Sequence, residues 1–202
     1  MNEAQVFALG VTLAWLAGIR AYLTVFGLGL AGYFGWIELP GALDLCQSPW
    51  VLGVSGLLAA VEFGTDKIPG VDSVWDLLQT VLRVPAGAFL ASAALAGPDG
   101  ELGIGWAVAG GGAALLSHAL KSGTRAVLNT SPEPVSNLAT SVGEDTLALG
   151  TLALVFTHPW LALGLLLCLT LGAALVVFWL ARRVWRWRSR ACPPDSNNPA
   201  RV

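Results

Sequence analysis

The chain has 202 residues, of which 55% are hydrophobic and only 12% charged, about half the charged share of a soluble domain. A mean hydropathy of +0.67 excludes a disordered chain and leaves too little polar surface to cover a soluble globular enzyme. The net charge of −2 argues against a polyanion binder, and an integral membrane protein is the class that fits.

Apolar runs predict about six membrane helices in chain order. The first covers residues 4–34 and is broken by Gly18-Ile19-Arg20. A cleaved signal peptide is not expected there: Glu3 precedes the run, no Lys or Arg does, and apolar sequence continues past Arg20. The second covers residues 49–64, and the third covers 71–95 with Pro85 inside it. The fourth, 102–128, contains Gly110-Gly111-Gly112, a run suited to close helix packing. The fifth covers 137–156 and the sixth 159–181. The second and fifth are short for a span and carry carboxylates. Backbone groups in lipid must satisfy one another, so these segments are helices, and the alternation of a barrel strand is absent. The expected fold is an all-α integral membrane protein with one transmembrane domain, residues 1–184. Residues 185–202 are expected to form a basic, then disordered, cytoplasmic tail.

The basic block Arg182-Arg183-Val184-Trp185-Arg186-Trp187-Arg188-Ser189-Arg190 follows the sixth helix. By the positive-inside rule it puts the C-terminus in the cytoplasm, and six spans put the N-terminus there too. The loops with Glu38 and Asp44, and with Asp99 and Glu101, carry no Lys or Arg and read as outside loops. The basic block is read as a juxtamembrane anchor on lipid phosphates rather than a nucleic-acid patch.

Gly18-Ile19-Arg20-Ala21-Tyr22-Leu23 recurs as Gly123-Thr124-Arg125-Ala126-Val127-Leu128. A looser echo pairs Ser55-Gly56-Leu57 and Val61-Glu62 with Ser136-Asn137-Leu138 and Val142-Gly143-Glu144. The expected organisation is two three-helix repeats, about 4–96 and about 102–184. An odd number of spans inverts the second copy, a recurrent plan of secondary transporters.

The charges inside the spans are the candidates for function. They are Arg20, Glu62, Asp66, Lys67, Asp72, Asp76, Arg83, Lys121, Arg125, Glu144 and Asp145. A charge at bilayer centre costs about 2.5–3.5 kcal/mol on insertion scales, so these groups must face one another or a wet cavity. Glu62 and Asp66 share a face if their helix continues that far, as do Asp72, Asp76 and Thr80, with Arg83 a turn beyond. Ser117, Lys121 and Arg125 line one side of the fourth helix. The economical arrangement pairs Arg20 and Arg125 with carboxylates of the second and fifth helices, with Gly18 and Gly123 loosening the backbone or allowing close approach beside each arginine. Asp66, Lys67, Asp72 and Lys121 fall near helix ends, where the water interface is an equal reading.

Other chemistry is weak. His118 and His158 have no metal-motif spacing and read as packing or interfacial histidines. Cys46, Cys168 and Cys192 are far apart, so no disulfide framework or metal centre is expected. No hydrolase, metalloprotease or nucleotide-binding motif is present, and no cofactor is expected. The acidic cluster could ligate a divalent cation, but its Lys and Arg neighbours argue against a cage.

The stretch Glu62-Phe63-Gly64-Thr65-Asp66-Lys67-Ile68-Pro69-Gly70-Val71-Asp72-Ser73-Val74-Trp75-Asp76, continued by Thr80, Arg83, Ala86 and Gly87, resembles the bacterial membrane proteins of the domain of unknown function 4126. The resemblance covers about residues 5–180 and implies a multi-pass protein of the bacterial cytoplasmic (inner) membrane. It supplies no mechanism. Pro69 and Gly70 suit a tight turn or re-entrant bend.

The functional expectation is a small secondary transporter or permease. Arg20 and Arg125 would contact an anionic solute or lipid headgroup, and Glu62 and Glu144 would carry protons or a cation. The alternatives are a structural or assembly protein and, last, a lipid-modifying enzyme using Asp72 and Asp76. The lipid bilayer is the expected partner, nucleic acid is not, and Gly-rich helix faces allow a homodimer.

Overall fold

The computed structural model describes residues 2–68, 70–96, 101–128 and 134–191. Pro69, Asp99, the side chain of Asp72 and the tail from residue 192 lie outside the described residues. The described chain is all helical. Its long helices are α1 (Glu3–Tyr33), α2 (Pro49–Thr65), α3 (Val71–Ala94), α4 (Ile104–Leu128), α5 (Pro134–Thr157) and α6 (Pro159–Ala191).

Local chemistry sets the ends. Asn2 caps α1 reciprocally: its side chain accepts from the Gln5 N–H at 2.8 Å, and the Gln5 side chain accepts from the Asn2 N–H at 3.0 Å. Pro49, Pro134 and Pro159 each stand first in their helices, where the missing N–H costs nothing. Only His158 separates α5 from α6. Gly70 turns the chain from α2 to α3 at φ 86°, a conformation that disfavours any other residue.

Two features depart from the sequence reading. A short 3₁₀ helix, Gly41–Gln47, precedes α2 and meets it at 71°. The basic block does not follow the sixth helix but continues it, since α6 runs to Ala191.

Among the described residues four helical segments are long and apolar enough to cross a membrane: Glu3–Tyr33, Val74–Ala94, Leu138–Thr157 and Pro159–Trp179. The 3₁₀ helix and α2 would together make a fifth, broken span. The 25-residue α4 is long enough, but its Gly-rich, charged sequence leaves it outside that set.

The packing centres on α1, which touches α2, α3, α4, α5 and α6. Its residues from Thr12 to Ala21 are all buried, a helix apolar on every side and so surrounded. By contrast α4, the counterpart of α1 in the repeat reading, packs mainly on α1 and α3. The crossing of α3 and α4 is close because glycine meets glycine. A Cβ on Gly87 would lie 2.9 Å from the Gly110 carbonyl oxygen. Gly110 and Gly111 both face α3, as the glycine run suggests, whereas Gly112 faces open space.

The surface is inverted relative to a soluble protein. Arg20, Arg83 and Arg125 are among the largest fully buried side chains, while Leu77, Val81, Leu171, Leu175 and Phe178 are exposed. Apolar residues outside and charges inside are the pattern of a protein surrounded by lipid.

Candidate functional site

The site begins with a break in α1. Arg20 has φ −142° and ψ 72° inside an otherwise continuous helix. A break of this kind releases backbone carbonyls that a regular helix would satisfy. Here cations from other helices bind them: Lys121 Nζ donates to the Ile19 oxygen at 3.2 Å and Arg83 to the Gly18 oxygen at 3.4 Å. Thr24 Oγ1 donates to the Arg20 oxygen at 2.7 Å. Gly18 makes the approach possible, since a Cβ there would drive into Ser117 and the Ala114 carbonyl of α4. Among the described residues Gly123 has no such neighbour, and α4 runs unbroken through Arg125. The expectation of a special backbone beside each arginine therefore holds in the first copy and fails in the second.

Around the break the predicted charges form one buried network. Arg20 donates to Asp66, the residue just after α2, and lies 2.8 Å from Asp145 and 3.7 Å from Glu144 of α5. Lys121 reaches Asp66 at 3.2 Å, Asp76 at 3.0 Å and Glu144 at 3.6 Å. Arg125 grips Glu144 through two bonds of 3.1 and 2.8 Å and lies 3.6 Å from Asp66, the fork geometry that favours arginine over lysine. Both arginines of the repeated motif thus share the same two carboxylates, one from each half of the chain.

Arg83 holds the other side. It binds Glu62 at 2.7 Å and Asp76 at 2.9 Å, and donates to Gln79. Glu62 therefore pairs with Arg83, not with Arg20 or Arg125 as the simple pairing had it. Lys67 is the most exposed member, 3.4 Å from Asp145 and seated over the Phe63 ring. Asp66 and Lys121 are buried at 0% and 5% exposure, because the α2–α3 turn and the end of α4 are folded against α1. Asp72 stands in the first turn of α3.

The named charges balance. Arg20, Lys67, Arg83, Lys121 and Arg125 face Glu62, Asp66, Asp76, Glu144 and Asp145. Removing one partner of such a buried pair leaves a charge that the apolar surroundings cannot solvate.

His118 and Gln79 were not among the predicted site residues. His118 Nδ1 lies 2.9 Å from an Arg83 N–H and must accept from it, because a guanidinium only donates. Its Nε2 therefore carries the proton and donates to Thr80 Oγ1 at 2.7 Å, while Thr80 donates to the Asp76 carbonyl. The neutral Nε2–H tautomer follows from these partners. His118 is thus a buried member of the network rather than a packing residue. Spacing carried a signal, since Gln79 lies three residues after Asp76 and four before Arg83, and His118 three before Lys121. His158 is exposed at the α5–α6 junction. Among the described residues no His, Cys, Asp and Glu group is arranged to hold a metal ion.

Comparison with known proteins adds a family and no activity. No curated protein matches the chain, and no solved structure does. The family model described as a domain of unknown function (DUF4126) matches residues 7–183, and the chain belongs to that family.

Proposed function

We propose that the protein is a small, proton-coupled secondary transporter or permease for an anionic solute or lipid headgroup, in the bacterial cytoplasmic membrane. The observation that carries this reading is the break of α1 at Arg20, whose side chain and neighbouring carbonyls sit at the centre of the charge network. Discontinuous helices at mid-membrane are where transporters build substrate sites. In the folded arrangement each buried cation already faces a carboxylate, so an anion enters by exchange. Glu144 and Asp145 are the least buried of those carboxylates, at 13% and 12% exposure. Protonating one of them releases Arg20 or Arg125 for the incoming anion and moves a proton with it.

The halves are read as inverted repeats with both termini in the cytoplasm. Support comes from the two motif arginines sharing Asp66 and Glu144, and from the basic end of α6. Flux of anions and anionic lipids into proteoliposomes tests the function. Arg20→Ala and Glu62→Gln are expected to abolish flux in the fraction of protein that folds, and unchanged flux in both sinks the mechanism.

The completeness of the ion pairing favours a second reading, a structural lock in a membrane assembly protein. It predicts lower folded yield from the same substitutions, with no transport to lose.

A further inference from the structure

An apolar groove of about 450 Å³ lies between α1, α2 and α3, within the size range of ligand sites. Tyr22 and Val25 line it from α1, Trp50, Val54 and Leu58 from α2, and Leu82 from α3. Trp50 and Val54 are exposed, so the groove opens sideways, toward lipid if the helices span a membrane.

Among the described residues no charged side chain lines the groove, but a buried charged pair lies one helical turn beyond its α2 wall. That wall follows one helical stripe, and the position after Leu58 on that stripe is Glu62. Glu62 is held by Arg83 at 2.7 Å, and Arg83 directly follows the groove residue Leu82. Tyr22, in the groove wall, stands within electrostatic range of both charges. Hydrogen-bonding capacity is left over here: among the described residues Glu62 Oε2 has no donor, and Arg83 Nε and Gln79 Nε2 have no acceptor. Groups buried this deeply almost always find partners.

The geometry points to a lipid site in which one acyl chain lies between α1, α2 and α3 and an anionic headgroup reaches the Glu62–Arg83 pair. An apolar slot open to the bilayer accepts a hydrocarbon chain without removing it from apolar surroundings. The headgroup must offer an acceptor to Arg83 Nε and Gln79 Nε2 and a donor to Glu62 Oε2. A phosphate beside a hydroxyl supplies both, as in a glycerol phosphate headgroup, and a choline headgroup lacks the donor. This rests on the transport reading above and narrows its substrate to an anionic phospholipid.

Photolabelling of the full-length protein in phosphatidylcholine vesicles tests the site. The probe is phosphatidylglycerol with a diazirine midway along one acyl chain. Peptides around Tyr22 and Val54 are expected to label above those of α6. Leu58→Trp fills the slot and lowers this labelling about tenfold, whereas Val108→Trp, on the exposed face of α4 and outside the groove, does not lower it. Labelling of α6 stays constant in both variants and reports that each is folded. The same diazirine on phosphatidylcholine labels the groove less, and Arg83→Lys reduces that preference. Groove labelling no greater than that of α6, or insensitive to Leu58→Trp, or equal for the two lipids overturns the proposal. Groove labelling without lipid or anion flux would leave this site standing and sink the transport reading. Small-anion flux without groove labelling would do the reverse.

Discussion

Asp66 is the carboxylate on which Arg20, Lys121 and Arg125 converge. Asp66→Asn keeps its shape and removes its charge, leaving those buried cations short of a counter-ion. The expected loss is about 3–5 kcal/mol of stability, read by thermal unfolding in detergent, and a loss below that of Lys67→Ala would contradict the assignment. His118 gives a finer test. Its Nδ1 accepts from Arg83, so His118→Leu strands a buried donor at a cost of about 1–3 kcal/mol. His118→Asn places an oxygen near the lost Nδ1 and is expected to recover most of that stability. The charged members of this network were legible in the sequence, because a charge inside an apolar run has few places to go. His118 and Gln79 were not. Gln79 shares α3 with Arg83 and had only its spacing to mark it, whereas His118 meets Arg83 only because α4 packs against α3.

At the scale of elements, helix positions were legible because Pro49 and Pro159 mark starts and because apolar runs have a minimum length in lipid, whereas α5 begins at Pro134, three residues before the expected start. The 3₁₀ helix before α2 was not, since seven residues carry no periodicity to read. The end of α6 was misplaced because the basic block stops the apolar run without stopping the helix. The glycines separate two readings that the repeated motif merges. Gly18→Ala forces a methyl into the α4 backbone and is expected to cost about 1–3 kcal/mol, as overpacking does. Gly123→Ala meets open space and gains up to about 1 kcal/mol of helix propensity. Equal effects of the two on thermal unfolding would contradict the close crossing of α1 and α4.

For the whole molecule, the buried charges and the apolar exterior together describe a solvent of lipid outside and a charge-paired polar interior. The proposed orientation, with both termini cytoplasmic, predicts that a cysteine replacing the exposed Glu38 in a cysteine-free background reacts with an impermeant maleimide in intact cells. A cysteine at Asn2 should react only after the membrane is opened, and the reverse pattern would invert the orientation. The class of protein was legible from composition alone. The closure of the network was not, because it depends on the break at Arg20 and on five helices meeting there. The most direct test of the central claim, that this network is a path rather than a lock, is transport by the charge-neutral double variant Arg20→Gln/Asp66→Asn. The unsubstituted protein is expected to carry anion or lipid flux in proteoliposomes, and the double variant to recover the folded yield lost by Asp66→Asn without regaining that flux. Full flux in the double variant would contradict that claim.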